Sequence, residues 1–377
     1  MRRIFVFFIV TIFLCFSFIT SHAAEVFYSV DDIRAQTVAP WHDVYLVKGR
    51  SIDVNVQPTV PDVQLLPVLK VKPAFWIPTA NEETQWQAKD VHFELGGDAF
   101  VLEAGDVYDE ERTATKGKNV ESVTHFFYAP FLLNESYAEA NTLTFQQMID
   151  KMQTILTEAD PDHFDVDMDH VLYVQSSGKI DKTTGQVLLP ETLAVEFHTT
   201  LRSIPIWGHV FSSVDSRKNN KMSYRPLLTL VMRDEDSYRL LGKTVCETDE
   251  IVADIPLCSF EKVQNAIEAE IENGHIRAVY SVDLGYALYN EPGSSRTQGR
   301  EWMKTAVFYA VPTWRCVCIY TNLAKKDIPE DVLNNPAPSM YLKTLYFDAQ
   351  TGMLIDPNND QNEQGDYKGI VLWEQVK

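Results

Sequence analysis

Ser259-Phe-Glu-Lys-Val-Gln-Asn-Ala-Ile-Glu-Ala-Glu-Ile-Glu-Asn-Gly274, running straight into His275-Ile-Arg-Ala-Val-Tyr-Ser-Val-Asp-Leu-Gly-Tyr-Ala-Leu288, is the stretch that decides the fold. Its hydrophobic period changes from helical to alternating just past Gly274. Ser259 is a good N-cap, because its hydroxyl can accept from a first-turn amide, and Glu261 puts negative charge at the positive end of the helix dipole. Phe260, Val263, Ile267 and Ile271 recur at helical spacing, and Gly274 can take the left-handed conformation that stops the helix. The polar face carries Glu268, Glu270 and Glu272. In the strand that follows, Ile276, Ala278, Tyr280, Val282, Leu284, Tyr286 and Leu288 fall on one face while Arg277, Ser281 and Asp283 fall on the other. One face is therefore expected to pack on the helix.

The elements downstream extend this unit. From Ala306 to Thr321 both faces are mostly apolar, which predicts a central strand, and Pro312 within it predicts a bulge or a locally unpaired edge. Tyr341 to Phe347 reads as another strand, closing in Asp348-Ala-Gln-Thr-Gly352 before Met353, Leu354 and Ile355. Asp348 can accept from turn amides and Gly352 can adopt positive φ, so this is a tight strand-to-strand turn. The pattern recurs at Asp181-Lys-Thr-Thr-Gly185-Gln-Val-Leu188.

Upstream, Thr142 to Glu158 reads as a helix with Phe145, Met148, Ile149, Met152, Ile155 and Leu156 on one face. Strands are expected around Val166 to Val174, Leu193 to Arg202 and Ile206 to Ser212. Two helix-then-strands units, each with an Asp-x-x-Thr-Gly turn, point to a degenerate internal duplication. Between Ala24 and Asn141 the short strand-like runs are Val44 to Val47, Ile52 to Val56, Val91 to Leu95, Phe100 to Leu102 and Val123 to Tyr128. Prolines 58, 61, 67, 73 and 78 make the stretch after Val56 extended and irregular. The expected organisation is α+β: a signal peptide over residues 1–23, a β-rich N-terminal domain over 24–141, and helix-plus-antiparallel-sheet units over 142–235 and 236–377.

Residues Met1 to Ala23 carry Arg2 and Arg3, an apolar run from Ile4 to Ile19, and Ser21-His22-Ala23 as a small-x-small cleavage site. That is the pattern of a secretory signal, and it favours export over a membrane anchor. Cys15 lacks the small residues before it that a lipid attachment site needs. The chain has 53 acidic against 33 basic residues, a net charge of −20. Such a surface is a poor partner for nucleic acid or anionic lipid and a better one for divalent cations or basic protein surfaces, with solubility outside the cell as the plainer explanation.

Four cysteines follow the signal: Cys246, Cys258, Cys316 and Cys318. Export permits disulfides. Cys316 and Cys318, two apart on one strand face, are badly placed to bond each other, whereas Cys246 with Cys258 would close a short loop. A four-thiolate zinc site lacks the usual ligand spacing.

The densest acidic cluster is Asp160, Asp162, His163, Asp165, Asp167, Asp169 and His170. Three of its carboxylates on one strand face could meet a hard cation, but an EF-hand loop counted from Asp165 would need glycine where His170 stands and glutamate where Ser176 stands. Asp356, Asn358 and Asp360 fail the same test, so a solvated strand face is the expectation. No serine nucleophile elbow, His-Glu-x-x-His helix or local cysteine-protease signature is present. Glu196 and His198 read as an exposed polar pair. The isolated Gly208, Gly242 and Gly285 form no phosphate-cradling loop. Trp207 and Trp314, each beside a proline in an apolar strand, read as core packing rather than a carbohydrate platform. Asn134-Glu-Ser136 matches a glycosylation acceptor, relevant only in a eukaryotic secretory pathway. No catalytic, cofactor or metal residue is assigned.

A helix, a strand ending in Leu284-Gly285-Tyr286, a strand carrying Val311-Pro312-Thr313-Trp314, and a strand closing in Phe347-Asp348-x-x-Thr351-Gly352 together resemble the PepSY-type and YycI-type modules of Gram-positive exported proteins. Ser51-Ile-Asp-Val-Asn-Val-Gln-Pro58 through Val60-Pro-Asp-Val63 resembles an uncharacterised family of clostridial surface proteins. The module resemblance covers about a third of the chain, and the order of elements carries it. It implies a non-catalytic module that regulates peptidases or sensor kinases at the cell surface. The expectation is thus an exported protein that acts by protein or peptide binding, with no transmembrane segment once the signal is cleaved. An inhibitor or chaperone of an extracellular peptidase, and a hydrolase assembled from distant residues, are the alternatives. Intact-mass measurement of secreted material should find a chain beginning at or near Ala24; retention of residues 1–23 would refute the signal-peptide reading.

Overall fold

The computed structural model describes residues 27–74, 91–96, 99–104, 113–128, 150–151, 153–154, 166–167, 173–209, 227–232, 237–242, 245–290, 307–320 and 342–355. In chain order these give helix α1 (Val30–Gln36), then β1 (Trp41–Val47), β2 (Arg50–Val56), β3 (Val68–Ala74), β4 (Val91–Gly96), β5 (Ala99–Ala104), β6 (Val120–Tyr128), β7 (Val166–Asp167) and β8 (Tyr173–Asp181). There follow β9 (Val187–Leu201), β10 (Ile204–His209), β11 (Leu227–Met232), β12 (Tyr238–Gly242), β13 (Val245–Ala253), helix α2 (Phe260–Glu272), β14 (Ile276–Asn290), β15 (Phe308–Tyr320) and β16 (Leu342–Asp348). The fold is α+β and rich in strand.

Helix α2 forms as its sequence dictates. Ser259 Oγ accepts from the Lys262 amide, and Phe260, Val263, Ile267 and Ile271 are all buried. At the other end Gly274 has φ +79°, the Gly274 amide donates to Ile271 O, and the His275 amide donates to Glu270 O, which is a Schellman stop. Helix α1 was not expected in a β-rich segment. Its signature is nonetheless written in Ser29-Val-Asp-Asp32: Ser29 Oγ accepts from the Asp32 amide and Asp32 Oδ2 accepts from the Ser29 amide, a capping box. The two hydrogen bonds to Ser29 hold the Asp32 carboxyl below its ordinary range. The helices meet where Gln36 Oε1 accepts from the Phe260 amide. Of the expected Thr142–Glu158 helix, residues 150, 151, 153 and 154 are helical; the remainder lies outside the described residues.

Fourteen strands join in one hydrogen-bonded sheet along the path β13-β3-β15-β14-β10-β9-β11-β12-β5-β4, with β16 on β15, β7 and β8 on β9, and β6 on β8. β1 and β2 form a separate hairpin. This path crosses the boundaries drawn at 141 and 235. β3, from the proline-rich stretch expected to be irregular, lies between β13 and β15, and β5 pairs with β12. Prolines 58, 61 and 67 do precede β3 in irregular chain, but Val68, Leu69 and Val71 are apolar and fully buried in the sheet, and Pro73 lies past the end of its ladder with β15.

β15 is central and its residues Ala310–Ile319 are buried, as its two apolar faces require. On one side it pairs with β14 throughout; on the other, Phe308–Ala310 pair with β3 and Thr313–Ile319 with β16. Pro312, which has no amide hydrogen, stands where the neighbour changes. β14 departs from the simple alternation. Register irregularities between Ile276 and Ala278 and between Val279 and Ser281 place Val279, rather than Ala278 or Tyr280, in the helix-side core with Ile276, Val282, Leu284, Tyr286 and Leu288. That core also holds the buried side of α2, Ile33 of α1, the hairpin residues Ile52, Val54 and Val56, and Trp314, which meets Phe260 with ring centroids 5.1 Å apart.

The two Asp-x-x-Thr-Gly turns are the same structure. Gly185 and Gly352 have φ +71° and +74°. In each turn the glycine amide donates to the aspartate carbonyl, at 2.7 and 2.8 Å, and the aspartate Oδ1 accepts from the amide two residues on, at 2.8 and 2.9 Å. The threonine hydroxyl then accepts from the residue after the glycine. Their surroundings differ: a Cβ at Gly185 would meet nothing within 4 Å, whereas one at Gly352 would lie 2.9 Å from Lys262 Cβ and 3.3 Å from Cys258 Sγ. Gly185→Val should therefore cost only the backbone strain of about 1–2 kcal/mol, and Gly352→Val should cost clearly more. Urea denaturation of both variants checks the order; equal losses would contradict it.

Candidate functional site

The face of β14 and β15 turned away from α2 carries a cluster of buried polar groups. Asp283 and Arg315 are register partners across the two strands. Arg315 Nε and Nη2 donate to Asp283 Oδ2 at 3.1 and 2.6 Å, and each side chain is only 2% exposed. Taking such ions out of water costs several kcal/mol each unless their remaining hydrogen-bonding capacity is met. Here it is met from several segments. Ser281 Oγ donates to the same oxygen at 2.9 Å, and Thr59 Oγ1 donates to Oδ1 at 2.8 Å. Thr59 is held there by the backbone: its amide donates to Val282 O and its carbonyl accepts from Leu284 N. Arg315 Nη1 reaches His198 Nε2, on β9, at 3.3 Å.

Trp207, on β10, closes the group. The Arg315 Cζ lies 3.8 Å from its ring centroid, a cation–π stack, and His198 meets the ring edge-on at 5.3 Å. The indole reaches this position because residue 285 has no side chain: a Cβ there would lie 2.6 Å from Trp207 Cε2 and Cζ2 and 2.7 Å from Pro205 O. The indole N–H donates to Thr313 O at 3.4 Å. The Leu284-Gly285-Tyr286 and Val311-Pro312-Thr313-Trp314 motifs are thus two walls of one site.

Several expectations are corrected here. His198 is not an exposed partner of Glu196 but a buried contact of Arg315. Asp283, read as part of a polar strand face, is buried because Arg315, Thr59, His198 of β9 and Trp207 of β10 gather around the pair in place of water. The Cys246–Cys258 bond is not formed: Cys258 is a buried thiol at the start of α2, packed on Gly352, while Cys246 stands in β13 opposite Pro73. Cys316 and Cys318 are free and buried. The Cys316 thiol is pushed well up by its hydrogen bond to Cys318 and by burial, which leaves it unreactive. Trp207 and Trp314 are buried, as read. Within the acidic cluster only Asp167 is described, as the register partner of His198; Asp160, Asp162, His163, Asp165, Asp169 and His170 lie outside the described residues, as do Asn134, Asp356, Asn358 and Asp360. Among the described residues no three His, Cys, Asp or Glu side chains are grouped to hold a metal, and no helix is long and apolar enough to cross a membrane.

A smaller polar group marks the end of α2. Glu270 Oε2 accepts from Tyr320 Oη at 3.2 Å and lies 2.9 Å from His275 Nδ1. It is partly open to solvent, and it buttresses the Schellman stop.

No protein-family model matches the sequence, and no curated protein matches it either. Among solved structures, an uncharacterized protein from Eubacterium rectale is similar in fold, with TM-score 0.50 and 9% identity over 86% of this chain and 98% of that one. YycH from Bacillus subtilis aligns over 77% of this chain and 58% of its own, with 10% identity and TM-score 0.26.

The ion pair makes a quantitative expectation. Arg315→Met alone leaves Asp283 charged and buried and should cost about 3–5 kcal/mol. Asp283→Asn with Arg315→Met should cost less than the two single losses added together, because the groups act as a unit. Denaturant titration of the two single variants and the double variant reads this coupling; simple additivity would show the pair to be uncoupled.

Proposed function

We propose that this is a non-catalytic exported protein that works by binding a protein or peptide at the cell surface, in a regulatory role. The observation that carries the reading is the closure of its main polar constellation. Histidine, aspartate and hydroxyl groups do converge from distant segments, as a hydrolase would require, but Asp283 is fully engaged by Arg315, Ser281 and Thr59, and both ions are sealed from solvent. A nucleophile or base must reach substrate, and these side chains reach one another. The order of motifs that resembles PepSY-type and YycI-type modules supports the same reading, as does the leader-like segment at Met1–Ala23.

Contact must then use the periphery of the sheet. β14 and β15 are covered on both faces, while β13 ends the strand path and carries the exposed Ile251, and the β1–β2 hairpin exposes Val44 and Leu46. The acidic surplus favours a basic partner.

The test has two arms. The mature protein should turn over no substrate in a panel for peptidase, glycosidase and esterase activity. Cross-linking in the surface fraction of its source organism should capture a protein whose association slows as salt is raised. Robust turnover abolished by a single His or Asp substitution would overturn the proposal.

A further inference from the structure

The β1–β2 hairpin leaves one edge of its ladder open. Lys48 and Gly49, at φ +51° and +79°, make a two-residue turn of the type I′ pattern, and Val47↔Arg50 closes it. The closing pair of such a turn exchanges both of its hydrogen bonds, and the ladder alternates from there. The amides and carbonyls of Trp41, Asp43, Tyr45 and Val47 therefore point to β2, while those of His42, Val44 and Leu46 point to the outer edge. Among the described residues β1 pairs with β2 alone, and no backbone hydrogen bond reaches that outer row. Helix α2 meets the other face of β1, where Tyr45 Oη donates to Glu268 Oε1 at 2.7 Å.

The devices that usually blunt an edge are missing from this one. Its register runs from Trp41↔Val56 to Val47↔Arg50 without a bulge, and no proline or lysine interrupts Trp41–Val47. Val44 and Leu46 are 62% and 79% exposed on one side of the strand. β13, at the end of the long sheet, has two register irregularities instead. Charge then selects the occupant. The chain carries a net charge of −20, yet the hairpin balances two acids, Asp43 and Asp53, against two bases, Lys48 and Arg50, all exposed. A basic partner would find no net charge to meet here. A second copy would: the acids lie toward the open end of the hairpin and the bases at its turn, so an antiparallel copy lays its acidic end beside the basic turn.

We propose that β1 is a self-pairing edge, through which two copies of the chain join antiparallel about a two-fold axis and merge their hairpins into one four-stranded sheet. The register follows from the outward row, because only residues whose backbone groups point outward can exchange hydrogen bonds. Setting Val44 opposite Leu46 of the second copy, and Leu46 opposite its Val44, satisfies that condition and brings four exposed apolar side chains together on one face. His42 then stands opposite Lys48 of the second copy. This dimer is independent of the partner-binding reading given above.

Sedimentation equilibrium of the full mature chain tests it. A contact of one strand and a few apolar side chains lies at the small end of specific interfaces, so dimerisation in the micromolar range is expected. Val44→Pro removes an outward amide that the β1–β2 ladder does not use, and with it two hydrogen bonds per dimer; it should weaken association at least about tenfold while the monomer melts as before. Should that variant fail to fold, Leu46→Glu leaves the backbone untouched and should weaken association in the same way. His42→Glu should tighten it, by placing a carboxylate opposite Lys48 of the second copy. A chain that stays monomeric at about 200 μM, or a dimer whose affinity none of these substitutions changes, would overturn the proposal. So would cross-linking of a different protein to β1 of a chain that is itself monomeric.

Discussion

The Asp283–Arg315 ion pair is the constraint on which the rest of the structure depends. Two charges with 2% of their side-chain surface exposed must be neutralised and hydrogen-bonded, and each bond that does so recruits another part of the chain. Thr59 comes from the loop after β2, Ser281 from β14 itself, His198 from β9 and Trp207 from β10. Thr59, the His198–Trp207 segment and the β14–β15 pair are separated by long stretches of sequence. The pair thereby fixes where the N-terminal loop, the middle strands and the C-terminal sheet meet, which a purely apolar interface would specify less sharply.

The helix-side core and the polar layer divide the work. On one face of β14 and β15, α2, α1 and the β1–β2 hairpin bury aliphatic and aromatic side chains, and this non-directional burial supplies most of the driving force for folding. On the other, the ion pair and the stacked indole supply direction. Gly285 serves the second face: it removes the one side chain that would keep Trp207 off the strand. A glycine in the middle of a long strand costs conformational entropy and packing, so its presence there makes sense as the condition for a close ring-to-backbone approach.

What could be read from the sequence was local. The cap and stop of α2, its buried stripe, the central character of β15, the meaning of Pro312 and the two Asp-x-x-Thr-Gly turns all follow from neighbours a few residues apart, and all are found as read. The boundaries of the N-terminal region were harder, because β3 is a strand only by virtue of β13 and β15 on either side, partners far along the chain. The polar site was harder still. His198 in an alternating strand carries the same local signal whether its face meets water or a guanidinium, and only the tertiary pairing of β10 with β14 decides. Gly285 and Trp207 were each visible, one as an isolated glycine and the other as a core tryptophan. Nothing in either neighbourhood says that they touch.

The ion pair also resolves an ambiguity that the apolar strands leave open. β15 is hydrophobic on both faces, so sliding it by one residue against β14 would exchange one apolar set for another at little cost in burial. The irregularities near Ile276 and Ser281 show that β14 does change its facing along its length. A one-residue slip beyond that point would carry Asp283 or Arg315 into the aliphatic layer beneath α2, where neither Thr59, Ser281 nor His198 could follow. The penalty for an unpaired buried charge is larger than any difference in apolar packing between the two registers. The register of the central ladder is therefore set by its two polar residues and stabilised by its many apolar ones, and the elements that dock on that ladder inherit their placement from it.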